Sequence, residues 1–156
     1  YWLKCYEIPE GDKNFKGRAI QNMLNIEPDD SVNAMLRLRG LNDEEFVNSH
    51  YVVFATKNGT IKKTCLEAYS RPRTNGVNAI NIVEGDEVVD VRLTNGKNEI
   101  ILANRNGRAV RFDENTVRSM GRVSTGVRGM QLDGDDDQVV GMIIVNNAET
   151  ETVMVV

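Results

Sequence analysis

Hydrophobic residues along this chain gather in short β-type runs separated by polar turns. Tyr51-Val52-Val53-Phe54-Ala55 and Glu99-Ile100-Ile101-Leu102-Ala103 each lead into an Asn-Gly pair, in Lys57-Asn58-Gly59-Thr60 and Arg105-Asn106-Gly107-Arg108. Asn-Gly between two β-rich runs is the strongest short hairpin signal. A type I′ turn is expected at both, because it needs two residues that tolerate positive φ. Residues 51–56 should therefore pair with 60–64, and 99–104 with 108–112. A single helical turn fits Leu66–Tyr69 and Asp113–Arg118, with Asp113 as an N-cap, although an irregular loop fits equally well. The polar stretch 39–48 reads as a loop.

The same order of signals returns along the chain. The Asn-Gly pairs lie 48 residues apart, and the Val88-Val89 and Val139-Val140 pairs lie 51 apart. After each hairpin comes a glycine-centred segment. Gly76 and Gly126 mark the two complete examples and Gly17 an earlier, partial one. Each leads to an acidic turn and a last run: Ser31–Leu38, Glu87–Leu93 and Gln138–Val145. The repeats span about residues 1–38, 51–93 and 99–145, and a fourth opens at Glu151. Glycines that recur in phase (Gly17, Gly76 and Gly126, with Gly59 and Gly107 in the hairpins) suggest backbone positions where a side chain does not fit. A period near 50 with about four short strands is the size of one blade in a radial β-architecture. The expectation is an all-β, propeller-like domain. The sequence starts and stops inside the pattern, so a piece of a longer protein is expected.

Composition narrows the chemistry. With 40% hydrophobic residues in 156 the chain should be globular, and no apolar run approaches the roughly 18 residues of a membrane span. Cys5 and Cys65 have no close second thiol and read as buried, reduced residues of a cytoplasmic protein. His50 is the only histidine, which leaves metal ligation and His-based catalysis without support and fits a loop or strand-end role. The Asp133–Asp137 turn departs from a calcium-loop pattern, and Gly126-Val127-Arg128-Gly129 lacks the lysine of a phosphate loop. No catalytic residues and no cofactor are expected here.

The formal charge of −4 hides segregation. Acids collect in the turns, whereas cations follow the repeat frame: Lys16 and Arg18; Lys62, Lys63, Arg71 and Arg73; Arg108, Arg111, Arg118, Arg122 and Arg128. Equivalent positions in successive blades occupy equivalent points around a disc, so these eleven residues are expected to form a basic band along its rim. Such a band suits a long polyanion. With only 6% aromatic residues for base stacking, duplex DNA is favoured over single strands. A protein-interaction scaffold that uses the acidic turns is the alternative.

Longer motifs carry a resemblance. Tyr1–Glu10 with Lys16-Gly17-Arg18 and Asn22-Met23-Leu24, Ala55–Thr64, and Val117–Arg122 continuing through Ser124–Met130 resemble the C-terminal domain of the bacterial DNA gyrase A subunit over essentially the whole sequence. The resemblance implies a six-bladed β-pinwheel whose blades exchange strands, with about three blades present. It implies a rim that wraps duplex DNA for ATP-dependent negative supercoiling in a bacterial, nucleoid-associated A2B2 enzyme. ATP and Mg2+ then belong to the holoenzyme: the B subunit hydrolyses ATP, while the breakage tyrosine lies in the preceding breakage-reunion domain of the A subunit. A Gln-Arg-Arg-Gly-Gly-Lys-Gly type box is absent from these residues, so the equivalent domain of the A subunit of topoisomerase IV stays open. Unfilled sheet edges should also drive self-association between copies.

Overall fold

A computed structural model describes residues 1–156. Seven strands form: β1 (Tyr51–Thr56), β2 (Thr60–Cys65), β3 (Val88–Thr94), β4 (Glu99–Asn104), β5 (Ala109–Asp113), β6 (Val127–Arg128) and β7 (Val139–Val145). They make two antiparallel sheets, ordered β3-β1-β2-β6 and β5-β4-β7. Each sheet is the hairpin of one repeat with that repeat's last strand laid along the hairpin's first. The fourth strand of the first sheet, β6, comes from the following repeat, so the repeats are joined by strand exchange.

Both hairpins form where the Asn-Gly pairs predicted them, but the turn differs. Gly59 and Gly107 have φ of +86° and +81°, while Asn58 and Asn106 stay at negative φ. The loops Lys57–Gly59 and Arg105–Gly107 hold three residues, and each glycine N–H donates to the carbonyl of Thr56 or Asn104 (3.1 and 3.2 Å). This is a type I turn closed by a left-handed glycine. On the other side of each hairpin, the pairing of β1 with β3 and of β4 with β7 shifts register once, at Ala55/Thr56 and at Ala103/Asn104.

Two faces of the first sheet are buried against different things. Val53, Ala55 and Ile61 pack on Ile100, Leu102, Val139 and Met142 of the second sheet, with Val117 and Met130 of the exchanged segment. Val52, Phe54, Leu66 and Tyr69 on the opposite face meet Val47, Trp2, Leu36, Leu38 and Leu41. A fully buried aliphatic side chain contributes roughly 1.5–3 kcal/mol, so both seams matter to stability. The sheets come closest along β3 and β7, which marks the inner edge. The β2 side, with β6 on it, is the outer edge.

Several expectations need correction. Ser31–Leu38 forms no strand; Leu36 and Leu38 hold it to the core, and Asn33 Nδ2 donates to Val88 O of β3 at 2.9 Å. The stretch read as a loop contains a helix, α1 (Glu44–Ser49), started by Asp43, whose carboxylate accepts from Phe46 N–H at 3.1 Å. His50 ends that helix, bonded through Nδ1 to Phe46 O (2.9 Å) and stacked on the Phe46 ring. The turns after the hairpins are 3-10 turns, Leu66–Tyr69 and Glu114–Thr116. Cys5 is exposed and Cys65 only half-buried, neither in a disulfide.

Candidate nucleic-acid interface

The outer edge is built by residues 117–132 as they cross from their own repeat onto the preceding one. Ser119 bridges to Lys63, and Met120 N–H donates to Lys63 O at 2.9 Å. The chain loops away, then returns antiparallel with Val127 opposite Ile61 and Arg128 opposite Thr60. Gly129 and Met130 N–H both donate to Gly59 O (2.8 and 3.1 Å), and Asn81 N–H reaches Ser124 O (3.2 Å). This crossing demands glycine. Gly126 has φ +113°, and a Cβ there would lie 2.6 Å from Ile61 O; at Gly59 a Cβ would lie 2.6 Å from Met130 O. Gly76 (φ +69°) has the Tyr1 ring against it, whereas Gly17 and Gly107 have open space and are set by positive φ alone.

The eleven candidate cations fall into three groups. Lys16, Arg18, Arg71, Arg73, Arg118 and Arg128 are exposed and Arg122 is half-buried, and none of these seven makes a salt bridge. Arg118, Arg122 and Arg128 are brought together on the one crossing segment of the outer edge. Arg108 and Arg111 are exposed but carry acidic partners, Asp133 at 2.8 Å and Glu99 at 3.6 Å.

Lys62 and Lys63 form the third group, and their expected place on a solvent-facing band does not hold. Both are buried, because the crossing segment and the neighbouring repeat cover the outer half of β2. Lys63 Nζ lies 2.8 Å from Glu114 Oε2, 3.3 Å from Glu114 O, and over the Tyr51 ring. Glu114 is itself fully buried and accepts from Thr94 Oγ1 (2.7 Å) and Asn98 N–H (2.9 Å). The pair is an internal bolt between two blades. Lys62 points to the opposite face, where its ammonium donates to the carbonyls of Ala79 and Arg122 and lies over the Phe54 ring. Burial, with the Arg122 charge nearby, lowers its pKa to about 8. Tyr69 donates to the same Ala79 carbonyl (2.9 Å), and burial pushes its phenol up. Lys63 aligns with Arg111 in the repeat; only the copy overlaid by a following repeat is buried.

The acidic turns also have an internal use. Asp30, Asp86 and Asp137 each accept from the next residue's N–H at 2.9 Å. Asp86 and Asp137 reach further, to the N–H of Asn58 (2.9 Å) and Asn106 (3.3 Å) in the hairpin turns. Burial alone would raise the Asp137 carboxyl, but the N–H groups of Asp133, Asn106 and Gln138 and the Asn104 amide hold it below the usual range. The signal was present as a recurring Asp-x-Val: Asp30-Ser31-Val32, Asp86-Glu87-Val88 and Asp137-Gln138-Val139. The Asp86 and Asp137 carboxylates tie their turns to the hairpin turns, so these two acids are engaged inside the fold. No group of three or more metal-ligating side chains occurs.

Comparison with known proteins gives this architecture a family. A solved C-terminal domain of DNA topoisomerase IV superposes with a TM-score of 0.73 at 33% identity, over 84% of this chain and 39% of that one. A DNA gyrase A C-terminal domain superposes at 0.75 with 21% identity, over 94% and 44%, and supports the fold. The DNA gyrase A subunit of Salmonella typhimurium is 46% identical over 144 residues, 92% of this chain, and that of Halalkalibacterium halodurans is 47% identical over 130 residues. The chain spans only about 16% of the Salmonella protein's length. The family described as "DNA gyrase C-terminal domain, beta-propeller" matches residues 1–39, 50–95 and 98–146. Its β-propeller description agrees with the two blades and the exchanged strand, and the chain belongs to that family of DNA gyrase C-terminal domains.

Proposed function

We propose that this chain binds duplex DNA along the outer edge of its blades. Within a longer polypeptide, that contact bends the duplex around the disc and supports ATP-dependent negative supercoiling. The observation that carries the reading is the crossing segment: Arg118, Arg122 and Arg128 stand on one short stretch of the outer edge, and no carboxylate neutralises them. Exposed guanidiniums such as those of Arg118 and Arg128 meet backbone phosphates without base contacts, and counterion release supplies the affinity. Bending a short site costs of order 1–6 kcal/mol, which further phosphate contacts from Arg71, Arg73, Lys16 and Arg18 offset. Lys62 and Lys63 serve this function indirectly, as internal ties.

In this reading the chain contributes no catalytic residue and binds no cofactor. Strand breakage, ATP and Mg2+ belong to other domains of a bacterial cytoplasmic enzyme, and its partners are the breakage-reunion domain and the B subunit of gyrase. Wrapping is tested by relaxing a nicked and resealed plasmid in the presence of the chain. A shift of linking number that grows with protein concentration supports wrapping. Binding with no shift restricts the function to DNA contact. The equivalent domain of topoisomerase IV is the second reading, favoured by the 33% identity to that enzyme's C-terminal domain.

A further inference from the structure

Where the crossing segment returns to the first sheet, it closes a notch over the β1–β2 turn. The notch has a volume of about 380 Å3 and opens to solvent. Asn58 and Thr60 line it from the turn, and Thr125, Arg128 and Gln131 line it from the crossing segment. Although the chain carries 23 acidic residues, none is among the lining. The side chains of Asn58, Thr60, Arg128 and Gln131 donate to no protein acceptor, so their donors are free. Asn81 Nδ2 donates to Thr125 Oγ1 (3.3 Å), which leaves that hydroxyl hydrogen free as well. Gly59 O, the nearby backbone acceptor, is already occupied by Gly129 and Met130 N–H. What faces the notch is one positive charge, Arg128, with neutral amide and hydroxyl groups that can turn their free N–H and O–H donors toward a phosphodiester, and no carboxylate in the lining to repel it.

We propose that this notch seats one backbone phosphate of the DNA duplex, with Arg128 as its charge and the Thr60 hydroxyl and Gln131 amide as neutral donors. The inference rests on the DNA-binding reading and deepens it. The seat is composite: its two walls come from consecutive repeats, and strand exchange brings them together. Charge alone would make Arg128 one of several interchangeable cations, whereas a seat makes neutral neighbours matter. This difference is measurable, because neutral donors add affinity without releasing counterions.

The test is fluorescence anisotropy of a labelled random-sequence duplex at several salt concentrations, with wild type, Arg128→Ala, Thr60→Val with Gln131→Ala, and Thr60→Ser with Gln131→Asn. Arg128→Ala should weaken binding and reduce the slope of log affinity on log salt by about 0.9 in magnitude. The Val/Ala variant should weaken binding roughly five- to twentyfold at unchanged slope, as expected for two lost neutral hydrogen bonds. The Ser/Asn variant, which keeps both donors, should bind within about threefold of wild type. Thermal unfolding of each variant separates lost contacts from lost structure. If Val/Ala binds like wild type while Arg128→Ala weakens binding, the seat is refuted and the DNA reading stands. Equal losses in Val/Ala and Ser/Asn at equal stability also refute the seat. If wild type binds no duplex at any salt, the DNA reading fails and the seat with it.

Discussion

Replacing Lys63 by methionine separates a structural cation from a DNA-binding one. Lys63 and Glu114 are 2.8 Å apart, with side chains 4% and 0% exposed, so the substitution leaves a carboxylate buried and uncompensated. Breaking such a pair costs about 3–5 kcal/mol. Glu114 retains the Thr94 hydroxyl and Asn98 N–H, which favours the lower end, about 3 kcal/mol. For a chain of this size that corresponds to a fall of roughly 6–12 °C in Tm. Urea unfolding should show the loss as a lower midpoint at unchanged slope. Lys63→Met combined with Glu114→Gln should lose less than the two single losses added, with a coupling of about 1–3 kcal/mol. Duplex binding at 20 °C should keep its salt slope, since the ammonium faces Glu114 and the Tyr51 ring. A stability loss under about 1 kcal/mol together with a shallower salt slope would make Lys63 a DNA-binding cation instead of an internal tie.

Other expectations follow from the same geometry. Lys62 binds its proton less tightly folded than unfolded, so between its folded pKa of about 8 and the ordinary 10.5 the unfolded chain holds more protons and stability rises with pH. Urea midpoints should climb between pH 8 and 10, and Lys62→Met should flatten the climb. Asp137 is the opposite case, a carboxyl held low in the fold: its contribution is present above the ordinary carboxylate range and lost as pH falls through the folded value. Asp137→Asn should therefore reduce the acid sensitivity of the thermal midpoint while lowering that midpoint at pH 7. Gly126→Ala should cost about 2–5 kcal/mol in urea unfolding, from left-handed strain plus the contact with Ile61 O. Gly107→Ala, with open space around it, should cost only about 1–2 kcal/mol.

The repeat was legible because each blade states its hairpin locally: a β-rich run, Asn-Gly, and a second run are enough to set β1–β2 and β4–β5. Turn type was not legible, since Asn58-Gly59 serves a type I′ turn and a type I turn with a left-handed glycine equally well, and the Asp86 carboxylate that holds the Asn58 N–H lies 28 residues away. Packing replaced pairing at Ser31–Leu38, an alternating run held by Leu36, Leu38 and the Asn33 amide rather than by a strand ladder. Burial defeated the reading of Lys62 and Lys63. Their charge suggested solvent, and their phase with Arg111 was real, but strand exchange puts the following repeat on top of β2. Glu114 was the available clue: an acid just after a hairpin, at the position where the preceding repeat has Leu66.

Reversing the exposed charges of the crossing segment decides whether the outer edge is a DNA surface. Duplex binding should be measured against salt for wild type and for Arg118→Glu with Arg128→Glu, with unfolding midpoints as the control. Wild type should show a slope worth several phosphates, at about 0.9 each, and the reversed variant should fold as stably but lose at least tenfold in affinity and about two phosphates of slope. Wild-type affinity and slope in the reversed variant would contradict a DNA surface there.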